Sequence, residues 1–391
     1  MVLLATHAML LVSALATAVD AKIEQLNFLC QTPVRPLSFS EPPAVPKTSQ
    51  GLSPFASNAS KPYHVYSAPG FADGRGISII TSPDRIKHFQ RVAPFAPGTN
   101  DHTSPPYKEE LVAGKGRGLV ATKMFHRGDK IFADTPILLI DADIFEDSED
   151  LWVTLEEEAV RKLPLESQRK FWELHGQPVQ NPIAGRIDPN AFELNTANAT
   201  YYAVLPEIAR LNHDCRPNAA YFFDQDTLTH HVHAITDIPP GTELSITYID
   251  PTMHRKKRVR KLLRNWGFQC SCSQCSASAH LSQASDRRLS QIVDLSERLE
   301  DGGWENASPE MAEALVSLYE QERLYASGSE SYTYAALTYC AEGKLGPTIK
   351  YAHLAVEYGI LDNGFHDVDV EDMRELADAP EKQDCWMQKM R

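Results

Sequence analysis

Cys270-Ser271-Cys272-Ser273-Gln274-Cys275 crowds three of the chain's seven cysteines into six residues. A C-x-C-x-x-C run on a tight loop suits thiolate ligation of a tetrahedral Zn²⁺, whose structural sites take four ligands, so one ligand has to come from elsewhere. Cys215, within Arg210-Leu211-Asn212-His213-Asp214-Cys215-Arg216-Pro217-Asn218, is the candidate fourth. Free or disulfide-bonded thiols are the competing reading, but seven thinly spread cysteines do not make a small disulfide scaffold. His213 and Cys215 could also be read as a thiol and its base. Their i,i+2 placement beside a zinc-type loop argues against that.

Working outward, Gly241-Thr242-Glu243-Leu244-Ser245-Ile246-Thr247-Tyr248 alternates apolar and polar positions after an Asp237-Ile238-Pro239-Pro240-Gly241 turn, so residues 243–249 are expected as a strand. Residues 228–234 form another, carrying His230, His231 and His233; a core or surface role is favoured over metal binding, because no third partner shares the face of His231 and His233. The basic run 255–261 reads as the solvated face of a helix with Val259, Leu262 and Leu263 turned inward, rather than as a localisation signal or nucleic-acid patch. Upstream, residues 119–122 and 130–140 have strand character around a His126-Arg127-Gly128-Asp129 turn. Residues 151–174 switch to helical spacing, with Leu151, Leu155, Ala159 and Leu163 on one face and Glu156, Glu157 and Glu158 largely off it. Before the first strand, Gly114-Lys115-Gly116-Arg117-Gly118 lets backbone approach a ligand without Cβ hindrance. A strand follows it, which excludes the dinucleotide fingerprint, and it lacks the Gly-Lys-Ser/Thr end of a P-loop.

Taken in order, these pieces resemble the SET-domain protein lysine methyltransferases over residues 109–276. The glycine run looks like the family's first cofactor-binding motif, and residues 210–218 are similar to its Asn-His-Ser-Cys-x-Pro-Asn core. Residues 241–248 resemble the strand ending in the catalytic tyrosine, and Trp266-Gly267-Phe268-Gln269 with the cysteine run looks like the post-SET zinc loop. The helical insertion and helical C-terminal region look most like the SET and MYND type and its fungal relatives. The MYND module itself is lacking, since no cysteine lies between Cys30 and Cys215. Asp214 stands where the family usually has serine, which puts the local hydrogen bonding in question.

The resemblance implies an α+β fold. A SET domain of small curved sheets with a pseudo-knotted core is expected over 107–250, with a helical insertion at about 141–200. A linking helix and post-SET zinc loop follow at 251–276, then a helical C-terminal domain at 277–391, where a tetratricopeptide-like array and a plain bundle are alternatives. The resemblance further implies S-adenosylmethionine as cofactor, held by Gly114, Lys115, Gly116, Arg117, Gly118, Asn212, His213, Tyr248 and Phe268. Tyr248 would be the catalytic residue, and Cys215, Cys270, Cys272 and Cys275 would hold a structural Zn²⁺. Tyr221, Phe222 and Phe223 are candidates for lining a lysine channel, or else core residues of an alternating strand. Such a channel favours the neutral amine by desolvation. The expected activity is methyl transfer to a lysine of a histone or other protein; the alternative is a catalytically silent SET-type scaffold for peptides or partners.

Composition fits a globular chain: 391 residues, 42% hydrophobic and 23% charged. A net charge of −14 disfavours direct nucleic-acid binding and suits a lysine-rich partner. Residues 8–19 form an apolar stretch of signal-peptide length, too short to span a bilayer, preceded by no Lys or Arg. Residues 1–21 are therefore a signal-like segment with two outcomes: a nuclear or cytoplasmic protein if it is not used, the secretory route if it is. Sequons at Asn58, Asn198 and Asn306 do not decide between them. Half of the 26 prolines lie between Pro33 and Pro106, so residues 22–106 are expected to be largely irregular, with residues 76–81 a candidate strand. No membrane span is expected, and a monomer is favoured.

Overall fold

Short β-branched and aliphatic runs between turns make the strands of this protein. A computed structural model describes residues 35–40, 63–301 and 307–390; the signal-like segment and the sequons at Asn58 and Asn306 lie outside the described residues. The first eight strands are β1 (Arg35–Pro36), β2 (His64–Ala68), β3 (Ile77–Thr81), β4 (Arg91–Val92), β5 (Tyr107–Val112), β6 (Gly116–Ala121), β7 (Lys130–Asp134) and β8 (Leu138–Asp141). Helices α1 (Glu149–Arg161), α2 (Leu165–Trp172) and α3 (Ala184–Asn190) follow, then β9 (Ala191–Thr196), β10 (Ala199–Val204), β11 (Asn212–His213), β12 (Ala219–Asp224), β13 (Thr229–Ala234) and β14 (Glu243–Ile246). Helix α4 (Arg255–Trp266) leads into the cysteine loop, and α5 (Ala279–Asp301), α6 (Pro309–Glu322), α7 (Gly328–Ala341), α8 (Leu345–Asp362) and α9 (Val368–Asp378) complete the chain.

The strands form small mixed sheets rather than a closed barrel: β2-β3-β8-β10-β9, β11-β14-β6-β5, β12-β13-β7 and the pair β1-β4. Among the described residues two pairings are parallel, β3 with β8 and β11 with β14. The helical C-terminal region has its own apolar core, each helix packing on the next. Ser308 caps α6 by accepting the Met311 N–H, with Pro309 in the first turn where its missing N–H costs nothing. Cys340 and Cys385 form a disulfide with Cα atoms 5.6 Å apart, tying α7 to the C-terminal segment. This pairing was not foreseen from cysteine spacing.

Several expectations need correction. Residues 63–92 are not irregular: β2 and β3 form an antiparallel hairpin, and all five residues of β3 are buried beside β8. Pro69 and Pro83 lie in turns, while Ile77, Ile79 and Ile80 fill the core. The insertion is helical only to Asn190; residues 191–204 are a hairpin whose turn is Ala197 and Asn198, both at positive φ. The apolar stretch 130–140 breaks at Thr135-Pro136, sending β7 and β8 into different sheets. In α1 Glu156 is buried, and burial together with Asp188 pushes its carboxyl up to about 8. In α4 Leu263 is exposed, whereas Arg258 is only 1% exposed. The basic run is otherwise the solvated face expected of it, with Lys256, Lys257 and Arg260 exposed; Arg258 alone turns inward, beside Leu262 and against the cysteines.

Candidate functional site

The four-stranded sheet brings the glycine run, the 210–218 turn and the strand before Tyr248 together. Asn212 pairs with Ser245 and His213 with Ile246 across the parallel β11-β14 contact, and β14 pairs on its other side with β6. Asn218 locks this crossing: its Nδ2 donates to the Glu243 carbonyl at 2.8 Å and its Oδ1 accepts the Ser245 N–H at 2.9 Å. Asp214 does the turn's local work, its Oδ1 accepting the Arg216 N–H at 2.9 Å, so aspartate supplies the hydrogen bond that its substitution for serine had put in question.

The glycines have separate reasons. Gly114 and Gly116 sit at φ of +73° and +80° with open space where a Cβ would be. At Gly118 a Cβ would lie 2.5 Å from Asn212 Nδ2. That amide donates to the Arg117 carbonyl at 3.1 Å and to Glu243 Oε1 at 2.9 Å. Lys115 reaches Glu243 Oε2 at 2.7 Å, while the Arg117 side chain pairs outward with Glu109. Glu243 thus joins two candidate residues, a role missed in the sequence although strand alternation put its carboxylate opposite the glycine run.

Tyr248 is half-buried beside His213, Trp266 and Phe268, with ring centroids at 5.4, 5.3 and 6.5 Å. Its hydroxyl donates to the Leu211 carbonyl at 2.6 Å, and burial raises its pKa, so it acts as a neutral donor. Its backbone N–H donates to His213 Nδ1 at 3.1 Å. His213, buried and held neutral with its pKa lowered to about 4 chiefly by desolvation, therefore carries its proton on Nε2, 3.3 Å from Cys215 Sγ. The three channel candidates do not stay together. Tyr221 and Phe223 lie around His230 on one face of β12, and Tyr221 and Tyr248 pack against the same apolar cluster. Phe222 is on the opposite face, stacked on His231 and His233 and set against Phe365, so the structure does not bring it to Tyr248.

Cys215, Cys270, Cys272 and Cys275 are buried and unbridged, their sulfurs all within 4.8 Å of one another. Hydrogen bonds from the other three thiols push the Cys272 pKa down, which favours a thiolate within the cluster. Four convergent sulfurs are the donor set of a closed tetrahedral zinc site. Arg258 lies against Cys215 and Cys275; burial alone would lower its pKa, but the charges of these sulfurs hold it up, and its Nη1 donates to the Met253 carbonyl at 2.6 Å.

His102, Asp134 and Glu207 form a second convergent group. There the positions are already taken. Asp134 and the Tyr107 hydroxyl each lie 2.8 Å from one ring nitrogen of His102, and Arg75 and Lys170 bind the Glu207 carboxylate. A cation placed among them would face two existing positive charges.

Comparison with known proteins gives the same outline. The SET domain family matches residues 116–249. The chain is 29% identical to the histone-lysine N-methyltransferase set5 of Schizosaccharomyces pombe over 196 residues, 50% of this chain and 56% of that protein. It is 42% identical over 71 residues to the protein-lysine N-trimethyltransferase SMYD5 of Mus musculus, 17% of each chain. A SET and MYND domain-containing protein of Dictyostelium discoideum is 42% identical over 65 residues, 17% of this chain and 19% of its own length. The chain thus spans little more than half of the first of these relatives and less of the others. On sheet topology, motif order and these similarities, residues 116–249 are a SET domain, carried in a chain related to the Set5 and SET-and-MYND proteins.

Proposed function

We propose that this chain is an S-adenosylmethionine-dependent protein lysine N-methyltransferase with a structural Zn²⁺. The observation that carries the reading is the convergence of the open glycine turn, Asn212, His213 and the neutral Tyr248 donor beside a buried four-cysteine cluster. Relatives whose names are histone-lysine and protein-lysine methyltransferase support it.

S-adenosylmethionine, when bound, supplies a methyl group on a sulfonium, which passes to an amine as the neutral thioether leaves. The residues of this chain do the rest. The Cβ-free turn at Gly114 and Gly116 and the amide of Asn212 would hold the cofactor, with Phe268, beside His213 and Tyr248, as a further contact. Lys115 and Glu243 fix the Asn212 amide. Tyr248, kept protonated by burial, orients the incoming amine or methyl group by its hydroxyl and not as a base. Tyr221 and Phe223 offer the aromatic walls that desolvate a lysine, lowering its pKa toward the nucleophilic form. Cys215, Cys270, Cys272 and Cys275 would hold a structural Zn²⁺, the buried Arg258 offsetting part of the negative charge of the four thiolates, while the His213 Nε2–H faces the Cys215 sulfur. The net charge of −14 favours a lysine-rich protein substrate, histones being the first to try.

The test is methyl transfer from labelled S-adenosylmethionine to histones and cell extract, with zinc measured in the same preparation. Tyr248→Phe should retain zinc and lose about 10²-fold or more in rate, the scale on which one positioned hydrogen-bonding group acts at a reacting centre. Zinc-loaded, cofactor-binding protein inactive on every substrate would favour the scaffold; protein holding neither would remove the assignment.

A further inference from the structure

Arg216 occupies the variable position of the Asn-His-Ser-Cys-x-Pro-Asn pattern, between the candidate zinc ligand Cys215 and Pro217. Its side chain is 2% exposed, and the carboxylate it meets, Glu322 at the end of α6, is 1% exposed. Arg216 Nη2 donates to Glu322 Oε2 at 2.8 Å, and its Nε donates to the Glu322 carbonyl. Nη1 donates to the Cys215 carbonyl at 2.6 Å and to the Pro251 carbonyl at 3.1 Å, three residues past Tyr248. One guanidinium therefore ties together the cysteine turn, the chain leaving Tyr248, and the C-terminal helices.

The surroundings make the pair obligatory. A carboxylate at a helix C-terminus opposes the helix dipole, so Glu322 needs cations close by. It has Arg216, and also Arg288, whose Nε lies 2.7 Å from Oε1, while Ser285 Oγ donates to Oε2 at 2.7 Å. Next to it, Arg323 reaches Ser273 within the cysteine loop at 3.4 Å. Burial, and less so the positive charge of Arg258 on the other side, act to lower the Arg216 pKa, and Glu322 opposes them. Without Glu322, two buried guanidinium groups would remain beside the cysteine cluster with no carboxylate facing Arg216.

We infer that Arg216 is a positioning residue through which Glu322 of the C-terminal helices holds the Cys215 turn in its metal- and cofactor-competent form. This rests on the reading of Cys215 as a zinc ligand and of Asn212 and His213 as cofactor contacts. It predicts that zinc retention and S-adenosylmethionine affinity at the candidate site depend on a residue of the C-terminal helices.

The experiment uses the full chain. Zinc release to a chromophoric chelator and S-adenosylmethionine binding by calorimetry are measured for wild type, Glu322→Gln, Arg216→Met, the double variant and Ser285→Ala. Arg127→Ala serves as the control, since Arg127 joins the SET domain to α8 through Glu357 and Tyr358 without touching the cysteine turn. Glu322→Gln is expected to speed zinc release about tenfold and weaken cofactor binding similarly, in the range found for partners one shell out from a metal. The double variant should be no worse than the worse single one, Ser285→Ala should move the same way by less, and Arg127→Ala should stay within about twofold of wild type on both readouts, the scatter of an unrelated site. Should Glu322→Gln fail to fold by circular dichroism, the milder Ser285→Ala decides. Equal zinc release from Arg127→Ala and Glu322→Gln would reduce the effect to general loosening and overturn the inference, as would wild-type behaviour of both Glu322→Gln and Ser285→Ala. Wild-type protein without zinc or cofactor binding would instead overturn the underlying site reading, and the inference with it.

Discussion

The four buried cysteines and the partly buried group His102, Asp134 and Glu207 are both convergences of ligand-type side chains, yet they are built in opposite ways. Around the sulfurs, the cation within the shell would be an added metal, with Arg258 only at its edge. Around Glu207 the chain supplies its own cations, Arg75 and Lys170, and His102 spends both ring nitrogens on Asp134 and Tyr107. Convergence alone is thus a poor sign of a metal centre. The deciding question is whether the counter-charge is already part of the polypeptide.

Three measurements would break or sharpen that contrast. The largest effect is expected from Cys272→Ser, which should abolish bound zinc and sharply lower thermal stability, since structural zinc contributes on the order of 10 kcal/mol to folding in small zinc modules. His102→Ala should leave the metal content unchanged, and a matching loss of metal there would erase the distinction. Next is Arg75→Met, which leaves a buried Glu207 with only Lys170 and should cost about 3 kcal/mol in urea unfolding, the scale for one broken buried pair. Adding Glu207→Leu should restore part of that cost; no recovery would mean Arg75 matters for packing alone.

The smallest effect is a pH dependence of two signs. Burial opposes the charge on Glu207, but Arg75 and Lys170 hold its pKa below the ordinary 4.5, so its contribution is present at neutral pH and lost as pH falls through the lowered value. For His102, burial acts to lower the pKa, but the hydrogen bond and charge of Asp134 raise it above 6.5 overall. Asp134, desolvated, also holds its proton more tightly, so the pair stabilises at low pH and loses that contribution as pH rises through its folded values. Chemical denaturation between pH 6 and 9 should show a shallower decline for His102→Gln than for wild type. An unchanged slope would place the titration elsewhere, Glu156 being the next group whose raised pKa gives the same sign.

The four-cysteine cluster was legible because thiols are rare and their spacing is local, and the SET order of motifs was legible because each motif carries its own residue types. The second cluster was not, since His102, Asp134 and Glu207 are common residues scattered over 106 positions and joined only by the folding of three sheets and an insertion. Charge misled in the same way within α4: Arg258 sits in a basic run that reads as a solvated face, and nothing local says that one of its cations is needed beside sulfur. Arg216 occupied a slot that accepts many residues, so its meaning came from Glu322, far along the chain. Strand β3 was visible as Gly76-Ile77-Ser78-Ile79-Ile80-Thr81, whereas its partner β2, His64-Val65-Tyr66-Ser67-Ala68, was hidden by neighbouring prolines and its lack of alternation.

The distance between Arg216 and Glu322 has a meaning for synthesis. They are 106 residues apart, and at roughly 5–20 residues per second a ribosome needs roughly 5–20 seconds to pass from one codon to the other. Within that interval β12, β13, β14 and the three loop cysteines are still being made, and Arg216 waits for Glu322, which comes after all of them. Translation speed therefore sets the earliest moment at which the site becomes whole, and a pause between these two codons lengthens the period in which the Cys215 turn lacks its tie to the C-terminal helices.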